Sequence, residues 1–353
     1  MNAPESVPRA PARSHAPGPV LSALLAAVLF GASTPAAKIL LGAVGPVTLA
    51  GLLYLGAAAG ALPFAVSRGA RRLSARTWWR LGGTVLFGGV IGPVLMLIGL
   101  ERAGASSVSL WLSLETVFTA ALARAAFREH LGKLGVVATV LVTAASALLA
   151  LGSGIAVREA ALLVALACVC WALDNNWTAV IDELSPAQIA LAKGLVAGAT
   201  TFGLGRALEH TPELTSALGG LAVGAVGYGL SLVLYVGAAQ ALGATRSQLL
   251  FSTAPLWGAA VAWVFAIDQL GVMHVVAAAM MALGLAVLGR ERHEHDHVHP
   301  RVSHQHAHRH DDGHHDHVHP GLPADAWHTH EHEHDEVRHD HPHVPDLHHR
   351  HRH

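Results

Sequence analysis

Apolar runs of about twenty residues alternate along this chain with short polar, charged or glycine–proline breaks. Ten such runs can be drawn, at 19–38, 46–66, 78–99, 106–127, 133–152, 159–181, 186–207, 217–240, 245–266 and 271–290. A helix crossing a bilayer needs about 20 mostly apolar residues, because the hydrocarbon core is about 30 Å thick and each residue rises about 1.5 Å. The pattern therefore predicts ten transmembrane helices joined by short linkers. Glycine is dense enough in the third and eighth runs to predict departures from regular helix there. Beyond His293 the apolar pattern stops.

Composition agrees with lipid as the solvent. Of 353 residues 52% are hydrophobic, only 13% are charged, and 36 are glycine. A soluble core of this size would need a charged surface. Residues 1–292 carry 18 basic and 12 acidic groups, most of them in the breaks between runs. With the N-terminus cytoplasmic, the inner segments hold Arg9, Arg13, Arg68, Arg71, Arg72, Arg76, Arg80, Arg128, Lys133, Arg290 and Arg292, and the outer ones only Lys38, Arg102, Arg158 and Arg206. Eleven against four predicts both termini in the cytoplasm of a multi-pass protein of the cell (inner) membrane. The first run follows Arg9 and Arg13 and could pass for a signal peptide, but the many spans behind it favour an uncleaved first helix. Cys168 and Cys170, two apart on a helix, point to different faces and suit neither a disulfide framework nor a metal pair.

The two halves resemble each other. A shift of 139 residues lays 104–150 on 243–289 without a gap and gives 14 identities in 47 positions. Gly104-Ala105 falls on Gly243-Ala244, Ser113 on Ser252, Glu129 on Asp268 and Leu131-Gly132 on Leu270-Gly271. Five helices per half is an odd number, so the second copy would insert upside down. Inverted repeats of this kind are an architecture of alternating-access transporters, with the solute site near the midplane between the halves. The expected fold is an all-α integral membrane protein. Its parts are a disordered N-terminus (1–18), two inverted five-helix repeats (19–152 and 153–292) and a disordered tail (293–353).

The segment Gly104–Gly132, GASSVSLWLSLETVFTAALARAAFREHLG, and its counterpart GATRSQLLFSTAPLWGAAVAWVFAIDQLG resemble the fourth and ninth helices of EamA-type members of the drug/metabolite transporter superfamily. Phe30-Gly31 and Trp171-Ala172-Leu173 resemble the family's aromatic-small signature, and the similarity spans about residues 20–290. The resemblance implies a ten-helix inner-membrane carrier of small metabolites, often driven by an ion gradient. The chain departs from the family where a proline is usual: Pro255 keeps it in the second half, and Thr116 replaces it in the first. The basic residue common in each repeat's second helix is absent near Leu53 and present only as Lys193.

Ionisable groups inside a span are costly and mark candidate function. Glu115, beside Ser113 and Thr116 with no basic residue within a turn, can exchange a proton or pair with a cationic solute; the plainer reading is a protonated acid bonded to a neighbouring helix. Asp174, Asn175 and Asn176 splay over about 200° of helix surface, so part of the run must face protein or a cavity, for solute binding or interhelical bonding. Lys193 is a counter-ion to Glu115 or Asp174, or it snorkels to headgroups. Gln248 offers hydrogen bonds to a polar solute, Arg246 reads as an interfacial anchor, and Glu129 and Asp268 read as structural or gate-closing residues.

The last 61 residues hold 23 of the 27 histidines, twelve carboxylates and five arginines. With few apolar residues they predict no core. His-Asp-His-Val-His-Pro occurs twice, carrying His295, His297 and His299, then His315, His317 and His319. Alternating histidines follow at His304, His306, His308 and His310, and at His328, His330, His332 and His334. Imidazoles at every second position of a flexible chain can converge on zinc, nickel, cobalt or copper, and no fixed spacing selects among them. A pH-responsive polyelectrolyte is the plainer reading.

Together these point to a secondary transporter, an exporter of a small metabolite or cation, whose tail buffers, senses or feeds a divalent transition metal. The alternative is a membrane-tethered metal sensor or store. The expected partners are the bilayer, a small solute or ion, and a divalent transition metal; a homodimer is compatible, and nucleic acid is not expected. No nucleophile–base pair, phosphate loop or catalytic metal motif marks the membrane part as an enzyme, and no cofactor is required.

Overall fold

A computed structural model of the protein describes residues 17–66, 73–127, 133–151, 155–181, 183–242, 244–269, 271–288 and 290, and in the tail 296–299, 302–308, 328–334 and 337–340. The bundle is helical throughout. In order it contains α1 (Pro17–Leu40), α2 (Pro46–Ala65), α3 (Ala75–Gly83), a π-helical segment (Thr84–Ile91), α4 (Gly92–Arg102), α5 (Ala105–Trp111), α6 (Leu114–Phe127) and α7 (Lys133–Leu151). The second half contains α8 (Ile155–Thr178), α9 (Pro186–Leu208), α10 (Leu214–Val223), a second π-helical segment (Gly224–Leu230), α11 (Ser231–Leu242), α12 (Ala244–Phe251), α13 (Ala254–Val264) and α14 (Val272–Leu288).

Among the described residues, eight helical stretches are long and apolar enough to cross a membrane: Gly18–Leu40, Pro46–Ala65, Ala75–Arg102, Ala105–Leu122, Lys133–Leu151, Ile155–Thr178, Pro186–Leu208 and Leu214–Ala238. The last two apolar runs give shorter helices, Ala254–Val264 and Val272–Val287. Large apolar side chains such as Leu21, Leu162, Leu208 and Val264 are two-thirds or more exposed, as an outward face against hydrocarbon requires. The chain is a multi-pass membrane protein.

The 139-residue register is visible in the backbone. The fourth run breaks between α5 and α6 at Leu112-Ser113, and the ninth between α12 and α13 at Ser252-Thr253. Each break is a tightened turn: the Ser113 N–H reaches the Leu110 carbonyl and the Thr253 N–H the Leu250 carbonyl, three residues back instead of four. The π-helical segments likewise fall at matching places in the third and eighth runs. In the first, the Gly92 N–H bonds five residues back to Phe87. Both segments are glycine-rich, so the widened turn meets little steric opposition.

Packing repeats too. Helix α1 lies on α13 and α11, and its counterpart α8 lies on α6 and α4. Helices α2 and α9 pair across the centre, and α7 and α14 pair at the side. Each half thus lends its first helix to the other, and the cores merge. The α1–α13 approach is close enough that a Cβ on Gly31 would meet the Ala254 carbonyl oxygen.

In the tail, β1 (Asp296–His299) pairs antiparallel with β4 (Val337–Asp340), and β2 (Val302–His308) with β3 (His328–His334). Alternation of histidine with other residues is a period of two, which a strand shares with an extended chain. The register sets His304 opposite His332, His306 opposite His330 and His308 opposite His328.

Candidate functional site

A cavity of about 60 Å³ lies between the halves, beside the two helix breaks. The first half supplies Phe30, Gly31 and Thr34 from α1, then Ser109, Leu112, Glu115 and Thr116 around the first break. The second half supplies Gln248, Phe251 and Ser252, with Ala254 and Pro255 beyond the second break. The breaks explain the polar lining. Glu115 is in the first turn of α6, where unpaired N–H groups and the helix dipole favour a carboxylate. Pro255 occupies the first turn of α13, where its missing N–H costs nothing.

Glu115 Oε1 accepts a hydrogen bond from Asn175 Nδ2 at 2.8 Å, and the same amide nitrogen reaches Thr119 Oγ1 at 3.4 Å. Asn176 turns the other way and donates to the Ala172 carbonyl at 2.8 Å and the Thr119 carbonyl at 3.4 Å. Asp174, 4% exposed, forms an ion pair with Lys193 of α9 and accepts from Thr178 Oγ1 at 3.1 Å. Of the alternatives for Lys193, the structure pairs it with Asp174. Room for that carboxylate comes from Gly88 in the first π-helical segment, where a Cβ would collide with Asp174 Oδ2. The Gly88 carbonyl is drawn to the same place, accepting from Tyr54 Oη at 2.5 Å and Trp171 Nε1 at 3.0 Å.

Gln248 is exposed and its Oε1 accepts from Tyr235 Oη at 2.6 Å. An aromatic cluster backs this side, with ring centroids 5.3 Å apart for Phe30–Phe251, 5.3 Å for Phe30–Tyr228 and 5.0 Å for Tyr235–Phe251. Ser109 is 1% exposed, and its hydroxyl has no hydrogen-bond partner among the described residues. The cavity therefore deepens from exposed Gln248 in α12, with exposed Asn175 beside Glu115, toward buried Ser109 in α5.

The far end of the bundle is closed by carboxylates on helix N-termini. Glu209 accepts from the Val47 and Thr48 N–H groups at 2.9 and 2.8 Å, in the first turn of α2. Asp268 accepts from the Ser106 N–H at 2.5 Å and its hydroxyl at 2.7 Å, at the start of α5. Both join one half to the other. Lys38 ties α1 to α4 through the Leu100 carbonyl at 2.7 Å. At the opposite end, Glu183 accepts from the Ser74 hydroxyl at 2.6 Å and its N–H at 2.8 Å, which holds its carboxyl below the usual glutamate range.

Of the six predicted path residues, Glu115 and Gln248 line the cavity, and Asn175 touches it through Glu115. Asp174, Asn176 and Lys193 lie behind that layer in contacts among helices. Cys168 and Cys170 are free and buried. His297, His299, His304, His306, His308, His328, His330, His332 and His334 fall in the tail strands. His295, His310, His315, His317, His319 and Glu129 lie outside the described residues. No group of three or more metal-ligating side chains converges among the described residues.

Sequence reasoning missed Glu209, Ser109 and the aromatic cluster. One signal was available: the chain has only three tyrosines, Tyr54, Tyr228 and Tyr235, and all lie inside apolar runs. Glu209 carried none, because its partners are backbone N–H groups 161 and 162 residues away.

The model of the EamA-like transporter family matches the chain twice, over residues 18–151 and 158–290. No curated protein matches it. A solved structure titled only "Crystal structure of protein" is 18% identical, with a TM-score of 0.57 over 76% of this chain and 95% of that one, and so shares the fold.

Proposed function

We propose, on the premise that this chain belongs to the EamA-like transporter family, that it is a secondary-active carrier exporting a small solute through the cavity between its halves. The observation that carries this reading is a cavity lined from both matched segments at the two helix breaks, with Glu115 in its wall. Broken helices facing a polar pocket at the repeat interface are what alternating access needs: a site both halves share, and backbone groups freed to meet a solute. The ten apolar runs are ten spans in two inverted repeats, with both termini cytoplasmic in the cell membrane and the cavity open to the cytoplasm. Rocking the halves would open the end now held by Glu209 and Asp268 and close the end near Gln248.

The reading is tested with the full chain in proteoliposomes, following entry of labelled amines, amino acids and carboxylates. Glu115-dependent flux of at least one class is expected. Flux no greater than in empty vesicles for every class, or flux unchanged in Glu115→Gln, would count against it.

A second reading concerns the tail, which binds zinc, nickel, cobalt or copper and buffers, senses or feeds the metal. The strand register that sets histidine opposite histidine at three successive alternate positions favours it. Metal content of stressed cells is compared for the full chain, a chain ending at Arg292, and Glu115→Gln. Loss of metal that needs both tail and Glu115 makes the metal the cargo. Retention that needs only the tail makes it a store, which is also the outcome expected of a tethered sensor.

A further inference from the structure

We infer that the cavity takes a small organic cation, an alkylammonium of a few carbons, held by Glu115 against the rings of Phe30 and Phe251; this rests on the transport reading above. The argument begins with which charges are already answered. Among the described residues, Asp174 has Lys193, Glu209 has two backbone N–H groups at a helix start, and Asp268 has an N–H and a hydroxyl at another. Glu115 has one neutral amide. A carboxylate offers about four acceptor positions on its two oxygens, so most of this one's capacity is open. Among the described residues, no lysine, arginine or histidine lines the cavity.

That imbalance selects by charge. An anionic solute would face a like charge where the surrounding dielectric is low, and repulsion there is several times what it is in water. A cation supplies the missing partner. The walls then select by chemistry. Hard metal ions need six or more oxygens at short range, and transition metals want imidazole or thiolate. This cavity presents Phe30, Phe251, Leu112, Ala254 and Pro255 instead, which suit alkyl groups. The rings of Phe30 and Phe251 have centroids 5.3 Å apart, and an aromatic face attracts a cation within about 6 Å of its centroid.

A second, independent sign is Ser109. Its hydroxyl is buried without a partner in the described protein, and it lines the deep end of the same cavity. A buried polar group of this kind is costly unless something meets it. An ammonium N–H directed away from Glu115 would do so. Gln248, its carbonyl fixed by Tyr235, keeps its amide nitrogen for a polar substituent at the shallow end. The cavity of about 60 Å³ sets a small size.

The test uses the purified full chain with tetramethylammonium and its uncharged shape-match tert-butanol, with ethylammonium, which carries the N–H groups that Ser109 would meet, and with propionate as the anion, all in potassium chloride. Binding is read by calorimetry, and counterflow by labelled tetramethylammonium in proteoliposomes. At least one ammonium should bind more tightly than tert-butanol and propionate, with affinity falling about tenfold or more in Glu115→Gln and about threefold in Phe30→Leu. Unchanged melting temperatures, and retention in Phe30→Tyr, separate a lost ligand from a lost fold. Equal binding of tert-butanol, tighter binding of propionate, no ammonium binding at millimolar concentrations, or full affinity in Glu115→Gln would each overturn the assignment. Ammonium bound at Glu115 but never exchanged would leave the ligand class standing and defeat transport. Glu115-dependent flux of a neutral or anionic solute instead would leave transport standing and defeat the class.

Discussion

The closed end of the bundle and its middle handle the same chemical group in opposite ways. At the closed end, Glu209 and Asp268 each cross from the second half to a helix start in the first, and each is met by donors that have no other helical partner. In the middle, Asp174 is met by Lys193, yet Glu115, linked to the adjacent Asn175, is met by one amide. A fold that supplies partners to three carboxylates and leaves the fourth open has a cost there. Unsatisfied groups of this sort collect where a protein binds something. The comparison separates residues that hold the halves together from the residue proposed to meet a solute.

The largest effect should come from breaking the compensated middle pair. Asp174→Ala leaves the part-buried Lys193 unpaired and should destabilise the protein by about 3 kcal/mol in denaturant unfolding, with Asp174→Ala/Lys193→Met recovering much of it. Next, Gly88→Ala drives a methyl into the Asp174 carboxylate and should cost about 1–3 kcal/mol, lowering the melting temperature. Glu209→Gln removes a charged cap from α2 and should cost about 1 kcal/mol while sparing solute binding.

One substitution should act in the other direction. Ala266 ends α13 with φ of 53°, in the left-handed region, and the Ile267 N–H closes back to the Ala262 carbonyl. That turn delivers Asp268 to α5, and glycine is the residue that suits it. Ala266→Gly should therefore stabilise by up to about 1 kcal/mol without touching the cavity. The smallest effect concerns the opposite end. The Glu183 carboxyl is held below its ordinary value by Ser74, so its contribution is complete above about the usual glutamate pKa and fades as pH falls through the lower folded value. A pH series below that range should show wild type converging on Glu183→Gln.

Much of this was legible in the chain. Apolar runs, glycine density and the 139-residue register located most of the helices, the two irregular segments and the correspondence of the fourth run with the ninth, because each is a local or periodic property. The fourth and ninth runs were each read as one helix and each is two, since a break of two residues inside a run that stays apolar overall changes neither its length nor its mean hydropathy, and only Pro255 betrays the second. Glu115 stood out because charge inside a span is rare. What could not be read was which partner each charge finds. Lys193 had two candidate acids, and only packing around Gly88 decides for Asp174. Glu209 went unread, because its backbone partners leave no mark on composition.

The most direct measurement is modification of the full chain in its membrane by a lipid-soluble carbodiimide, which reacts with carboxyls in apolar surroundings whose oxygens are met by neither a cation nor a backbone N–H, followed by mass spectrometry of the peptides. The account predicts that Glu115 is modified far faster than Asp174, Glu209 or Asp268, and that tetramethylammonium slows it. Modification of Asp174 or Asp268 at the rate of Glu115, or a Glu115 that stays unmodified while they react, would contradict it.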